Sequence, residues 1–168
     1  MKSLGARCVF VALFVFVTNF AQATSSEDTQ QAIRGLSELE LVVDGLDSDA
    51  EKCGITASLI RDAFMFPVSS SRLNISNKAS YVGPAFLIRV TTAQTPSLCV
   101  TALEFAVINY QLVKLDYKDD APSWVTLRLW DNLWVSSSAP ANHPQKIQRS
   151  VEASAKKFVT IWNIANKR

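Results

Sequence analysis

A chain of 168 residues with 17 Lys and Arg against 15 Asp and Glu has a formal net charge of only +2. That balance shows no electrostatic footprint of the kind nucleic-acid binding or a polybasic membrane patch would leave. The length suits one compact domain.

The first 23 residues read as a cleaved secretory signal. Lys2 and Arg7 form a short basic start, an apolar run of ten follows from Cys8 to Val17, and Ala21-Gln22-Ala23 closes it as a small-x-small site. The run is well short of the roughly 20 apolar residues of a membrane span. Cleavage after Ala23 would leave 145 residues with 15 basic and 15 acidic side chains, and no transmembrane segment. The residue directly after the cleavage point is Thr24 rather than cysteine, and Cys8 lacks a lipoprotein-type context, so a lipid anchor is not expected. The expected location is periplasmic or secreted.

Residues 24–35 are polar and weakly periodic and read as a flexible lead-in. Residues 36–168 read as a single α+β domain. Its first element is a strand in which Leu39, Leu41 and Val43 alternate with Glu38, Glu40 and Val42, ended by Gly45. A helix follows. Ser48 and Glu51 fit a capping box, Cys53, Ala57, Ile60 and Phe64 share an apolar stripe, and Pro67 stops it. "SSSRLNISNKAS" reads as a polar connection, within which Asn74-Ile75-Ser76 fits the N-glycosylation pattern.

Three strands come next. "YVGPAFLIRVTT" puts Phe86, Ile88 and Val90 on one face, and Gly83-Pro84 suggests an edge or bulge. "LCVTALEFAVINYQLVKL" is long and rich in β-branched residues. "SWVTLRLWDNLWVSS" returns antiparallel, with Asp131-Asn132 marking a bulge or turn. The last element opens at His143-Pro144. Ile147, Val151, Ala155, Phe158, Ile161, Trp162 and Ala165 then recur at helical spacing over about six turns. The expected fold is two-layered: about four mainly antiparallel strands with two helices on one face, in the order β-α-β-β-β-α.

Two cysteines survive signal cleavage, Cys53 and Cys99. In an exported chain an even pair reads first as a disulfide, with two buried free thiols as the alternative. His143 is the one histidine, so a four-ligand zinc site is not expected.

The remaining constellations are weak. Asp44, Asp47, Asp49 and Glu51 resemble a calcium loop, but Lys52 holds the glycine position and Ser58 the terminal glutamate position. Helix capping explains the same carboxylates. Asp116 to Asp120 read as a hydrated hairpin tip. A small exported hydrolase would need a cleft that brings His143 to Asp116 or Asp131. Nothing in the sequence implies a cofactor. Trp124, Arg128 and Trp130 fall on one face of a strand, and they read as a surface for a protein partner in the cell envelope. The competing reading buries that face.

The element order, the Cys-Gly-Ile helix start and the closing "FVTIWNIANKR" resemble small exported proteobacterial domains. In fold pattern they are similar to periplasmic helix-on-sheet modules of envelope-assembly lipoproteins and to the amino-terminal part of the Tol-system propeller protein. The resemblance implies an envelope setting and transfers no site residue.

Overall fold

A computed structural model describes residues 26–76, 83–116 and 122–167. The signal-like segment and Tyr117 to Asp120 lie outside the described residues. Four α-helices lie with a five-stranded mixed sheet, in the chain order α1 (Ser26–Ala32), β1 (Glu38–Asp44), α2 (Ser48–Lys52), α3 (Ala57–Val68), β2 (Asn74–Ser76), β3 (Gly83–Gln94), β4 (Cys99–Val113), β5 (Ser123–Ser138) and α4 (His143–Ala165). The strand order is β2-β1-β3-β4-β5. β3, β4 and β5 form the expected antiparallel meander, but β1 runs parallel to both β2 and β3.

The differences from the sequence reading have local causes. The lead-in contains α1, and Ile33 just beyond it is fully buried. Asn166 at the end of α4 holds this entry: its side chain accepts from the Gly35 amide at 2.7 Å, while Trp162 Nε1 donates to the Leu36 carbonyl at 2.8 Å. The single helix expected from Ser48 onward is two. Asp47, not Ser48, caps α2, accepting from the amides of Asp49 and Ala50. Cys53 ends α2, Gly54 takes the left-handed conformation that favours glycine (φ +73°), and Thr56 caps α3 through the Leu59 amide. Pro67 is accommodated in the last turn of α3 rather than ahead of its end. The fifth strand, β2, was hidden by its three short residues in a polar stretch. β3 is central rather than at an edge. Its Pro84 is tolerated because pairing with β1 begins only at Ala85.

Gly45 turns the chain out of β1 with φ +81°, and a Cβ there would meet the Val90 carbonyl oxygen, so no other residue fits without moving β3.

All the buried strand positions that alternate inward, such as Leu39, Leu41, Phe86, Ile88, Leu103, Phe105 and Val107, meet the apolar faces of α3 and α4, which lie side by side. At the centre, Phe86 contacts Phe64, Phe158 and Trp130 at ring-centroid distances of 4.5, 5.0 and 5.7 Å. The opposite face of the sheet carries no described helix. Ala85, Leu87, Ala106 and Ile108 form a small second cluster there, with Val42 beside it.

Candidate functional site

The Trp-rich strand decides which residues reach the surface. Ile108 of β4 pairs with Arg128 and Val107 with Trp130, so Leu129 is one residue too many. A bulge of this kind breaks the two-residue alternation. Before it, Trp124, Thr126 and Arg128 lie on the helix-free face, opposite Leu112, Tyr110 and Ile108. Leu129 and Trp130 both turn towards the helices. After it, Asp131, Leu133 and Val135 take the helix-free face.

Trp130 therefore leaves the predicted surface. It is 5% exposed and packs on Phe86 and Phe158, whereas Trp124 is 61% exposed. The expectation that both tryptophans share a face assumed unbroken alternation with a bulge at Asp131-Asn132. The slip lies two residues earlier. The adjacent apolar pair Leu129-Trp130 is compatible with the slip but does not locate it, since Trp124-Val125 and Leu133-Trp134-Val135 are also adjacent apolar residues and pair in regular register.

Trp124 stands with two other exposed side chains, Tyr110 and Leu112, on the helix-free face. Beside them runs a chain of ion pairs. Glu104 accepts from Arg128 at 2.6 Å and from Arg89 at 3.5 Å, and Arg89 lies 3.6 Å from Asp44. These groups are largely solvated, so the pairs add little stability. They hold the Arg128 guanidinium against Glu104, on the side of Ile108 away from Tyr110 and Leu112.

His143 lies on the other side of the sheet. It is fully buried, with Ser138 Oγ 2.8 Å from Nδ1 and Thr101 Oγ1 2.8 Å from Nε2, and Thr92 continues the chain at 2.9 Å from Thr101. A neutral imidazole satisfies one hydroxyl as donor and the other as acceptor. No carboxylate takes part. Asp131 is on the opposite face, and Asp116 lies beyond the far end of β4. The thirteen residues from Thr101 to Val113 alone span about 40 Å at strand rise. Among the described residues, neither Asp116 nor Asp131 is brought to His143. The Ser–His contact is a seam that docks the start of α4 on β5, continued by Ser136 with Ser150 and Asn132 with Ser154.

Burial, with the Lys146 charge adding to it, holds the His143 pKa below its ordinary value of 6.5. The unfolded chain then takes up a proton that the folded chain resists. The contribution is full above about pH 6.5 and is lost as pH falls from there towards the folded value. Urea melts between pH 7.5 and 5.5 should show stability falling by at most about 1.4 kcal/mol per pH unit. His143→Gln should remove that slope, since the chain has no other histidine. A slope that survives the substitution contradicts this account.

The acidic positions of the calcium-like segment are engaged otherwise. Asp47 caps α2, Asp44 accepts from Gly45 and pairs with Arg89, and Asp49 pairs with Lys52. Among the described residues no three His, Cys, Asp or Glu side chains converge as metal ligands. No described helix is long and apolar enough to cross a membrane. Cys53 and Cys99 form a disulfide, their Cα atoms 6.0 Å apart and both residues buried, which ties the end of α2 to the start of β4.

No protein-family model matches the sequence, and no curated protein matches it. Among solved structures, the chain is similar to a minor lipoprotein from Acinetobacter baumannii, with a TM-score of 0.36 at 10% identity over 79% of this chain and 92% of that one. It is also similar to the rare lipoprotein B from Shewanella oneidensis, with a TM-score of 0.20 at 12% identity over 73% of this chain and 89% of that one.

Proposed function

We propose that this protein is an exported, non-catalytic binding or assembly module of the cell envelope, and that it engages a protein partner through the helix-free face of its sheet at Trp124 and Arg128. The observation that carries the reading is the cluster Tyr110, Leu112 and Trp124, exposed on a sheet face without a described helix that also carries Arg128. Aromatic residues and arginine dominate the centres of protein interfaces, and exposed apolar clusters of this kind mark docking surfaces. Export is supported by the signal pattern of residues 1–23 and by the buried disulfide, which suits an oxidising compartment such as the periplasm or the medium.

A photoreactive residue in place of Leu112 tests the reading in the native cell. A discrete adduct with one envelope protein is expected, reduced at least about tenfold when Trp124→Ala and Arg128→Ala are added, with an unchanged melting temperature. A folded double variant that crosslinks as well as the parent would remove this face from the function, as would a folded parent that forms no adduct.

A further inference from the structure

The strand that carries Trp124 and Arg128 is also the end of the sheet. No described strand pairs with the outer edge of β5, which runs for 16 residues. Natural sheets shorten, cover, bulge or charge such edges, because unpaired N–H and C=O groups recruit other strands; β5 carries one bulge and the charges Arg128 and Asp131, and α1 approaches it, yet the strand remains long. The opposite edge strand, β2, has only three residues.

The residues on the two sides of the bulge make β5 complementary to itself. A two-fold axis perpendicular to a sheet keeps each side chain on its own face. In an unbroken strand, an axis centred between two adjacent residues would set positions of opposite faces against each other. The extra residue, Leu129, cancels that conflict. With the axis centred on Leu129 and Trp130, Trp124 lies opposite Val135, Thr126 opposite Leu133, and Arg128 opposite Asp131, all on the helix-free face. Leu133 and Val135 are 65% and 66% exposed, the most open aliphatic side chains of the strand. Arg128, which pairs with Glu104 of its own chain, then also faces the opposite charge of Asp131 on the other chain, and by symmetry this happens twice. Sliding the register by two residues in either direction separates Arg128 from Asp131 and sets each bulge against regular strand.

We infer that β5 pairs antiparallel with β5 of a second copy of this chain, joining two five-stranded sheets into one continuous sheet across a two-fold axis at Leu129–Trp130. Main-chain hydrogen bonds along the edge supply affinity, and the Trp124–Val135 contact and the Arg128–Asp131 pair select the register. The inference deepens the docking reading above by naming one partner of the same strand. It rests on that reading for the accessibility of Trp124 and Arg128.

Sedimentation velocity of the exported protein tests it with Asp131→Arg, with Arg128→Asp, and with an equimolar mixture of the two, each checked for folding by circular dichroism. The wild type is expected to dimerise at tens of micromolar, and each variant to dissociate at least about tenfold more readily, because like charges then meet across the axis. The mixture should recover the dimer, since each substituted position then faces its opposite charge on the other chain. A wild type that stays monomeric overturns the inference. So do folded variants that dimerise like the wild type, or a folded mixture that stays monomeric. A monomer that retains its Leu112 adduct removes the self-pairing and leaves the envelope docking standing. A dimer with no adduct to another protein does the reverse.

Discussion

Replacing both Cys53 and Cys99 with alanine is expected to cost about 4 kcal/mol. The bridge closes 46 positions of chain, and a cross-link of that reach removes conformational entropy from the unfolded state on that scale. The enclosed segment contains α3, β2 and β3, so the bridge joins the helical layer to the antiparallel meander. Both residues are buried, so the truncated side chains add a small packing loss. For a domain of this length the melting temperature should fall by about 10–15 °C, at roughly 3 °C per kcal/mol. Urea melts of the double variant beside the oxidised parent give the number. A loss under about 1 kcal/mol would contradict the loop-closure contribution assigned to the bridge.

The second large effect separates two tryptophans six residues apart on one strand. Trp130→Ala should cost about 3–5 kcal/mol, because it removes the ring packed against both Phe86 and Phe158 at the centre of the core. Trp124→Ala should change stability by no more than about 0.5 kcal/mol, since that side chain loses little contact when it is removed. Had the strand alternated without interruption, the two substitutions would have similar consequences. The contrast follows from Leu129 alone.

Much of this architecture is legible from residue patterns, and the rest is hidden for definable reasons. The meander shows because Phe86, Ile88 and Val90, and then the β4 residues, alternate over long runs. α4 shows because Ile147, Val151, Ala155 and Phe158 hold a helical period over 23 residues. β2 does not show because Asn74-Ile75-Ser76 is too short to display a period, and it gains its hydrogen bonds from β1, which lies far away in sequence. The break between α2 and α3 rests on one glycine and a threonine cap inside an otherwise continuous apolar stripe. Parallel pairing of β1 with β3 is a long-range choice that neither strand encodes locally. At the candidate surface, Trp124 and Arg128 follow from alternation alone, while the loss of Trp130 depends on a one-residue slip. Tyr110 and Leu112 join the surface through the β4–β5 register, which cannot be read from either strand in isolation.

Fluorine NMR of the protein labelled with 5-fluorotryptophan tests the central claim most directly, because its four tryptophans give four resonances. Each is assigned by a Trp→Phe variant and titrated with a soluble paramagnetic quencher. The Trp124 signal should broaden first and Trp134, at intermediate exposure, next, while Trp130 and Trp162 stay sharp. Broadening of Trp130 together with Trp124 would put both on one open face and contradict the bulge on which the docking surface and the self-pairing depend.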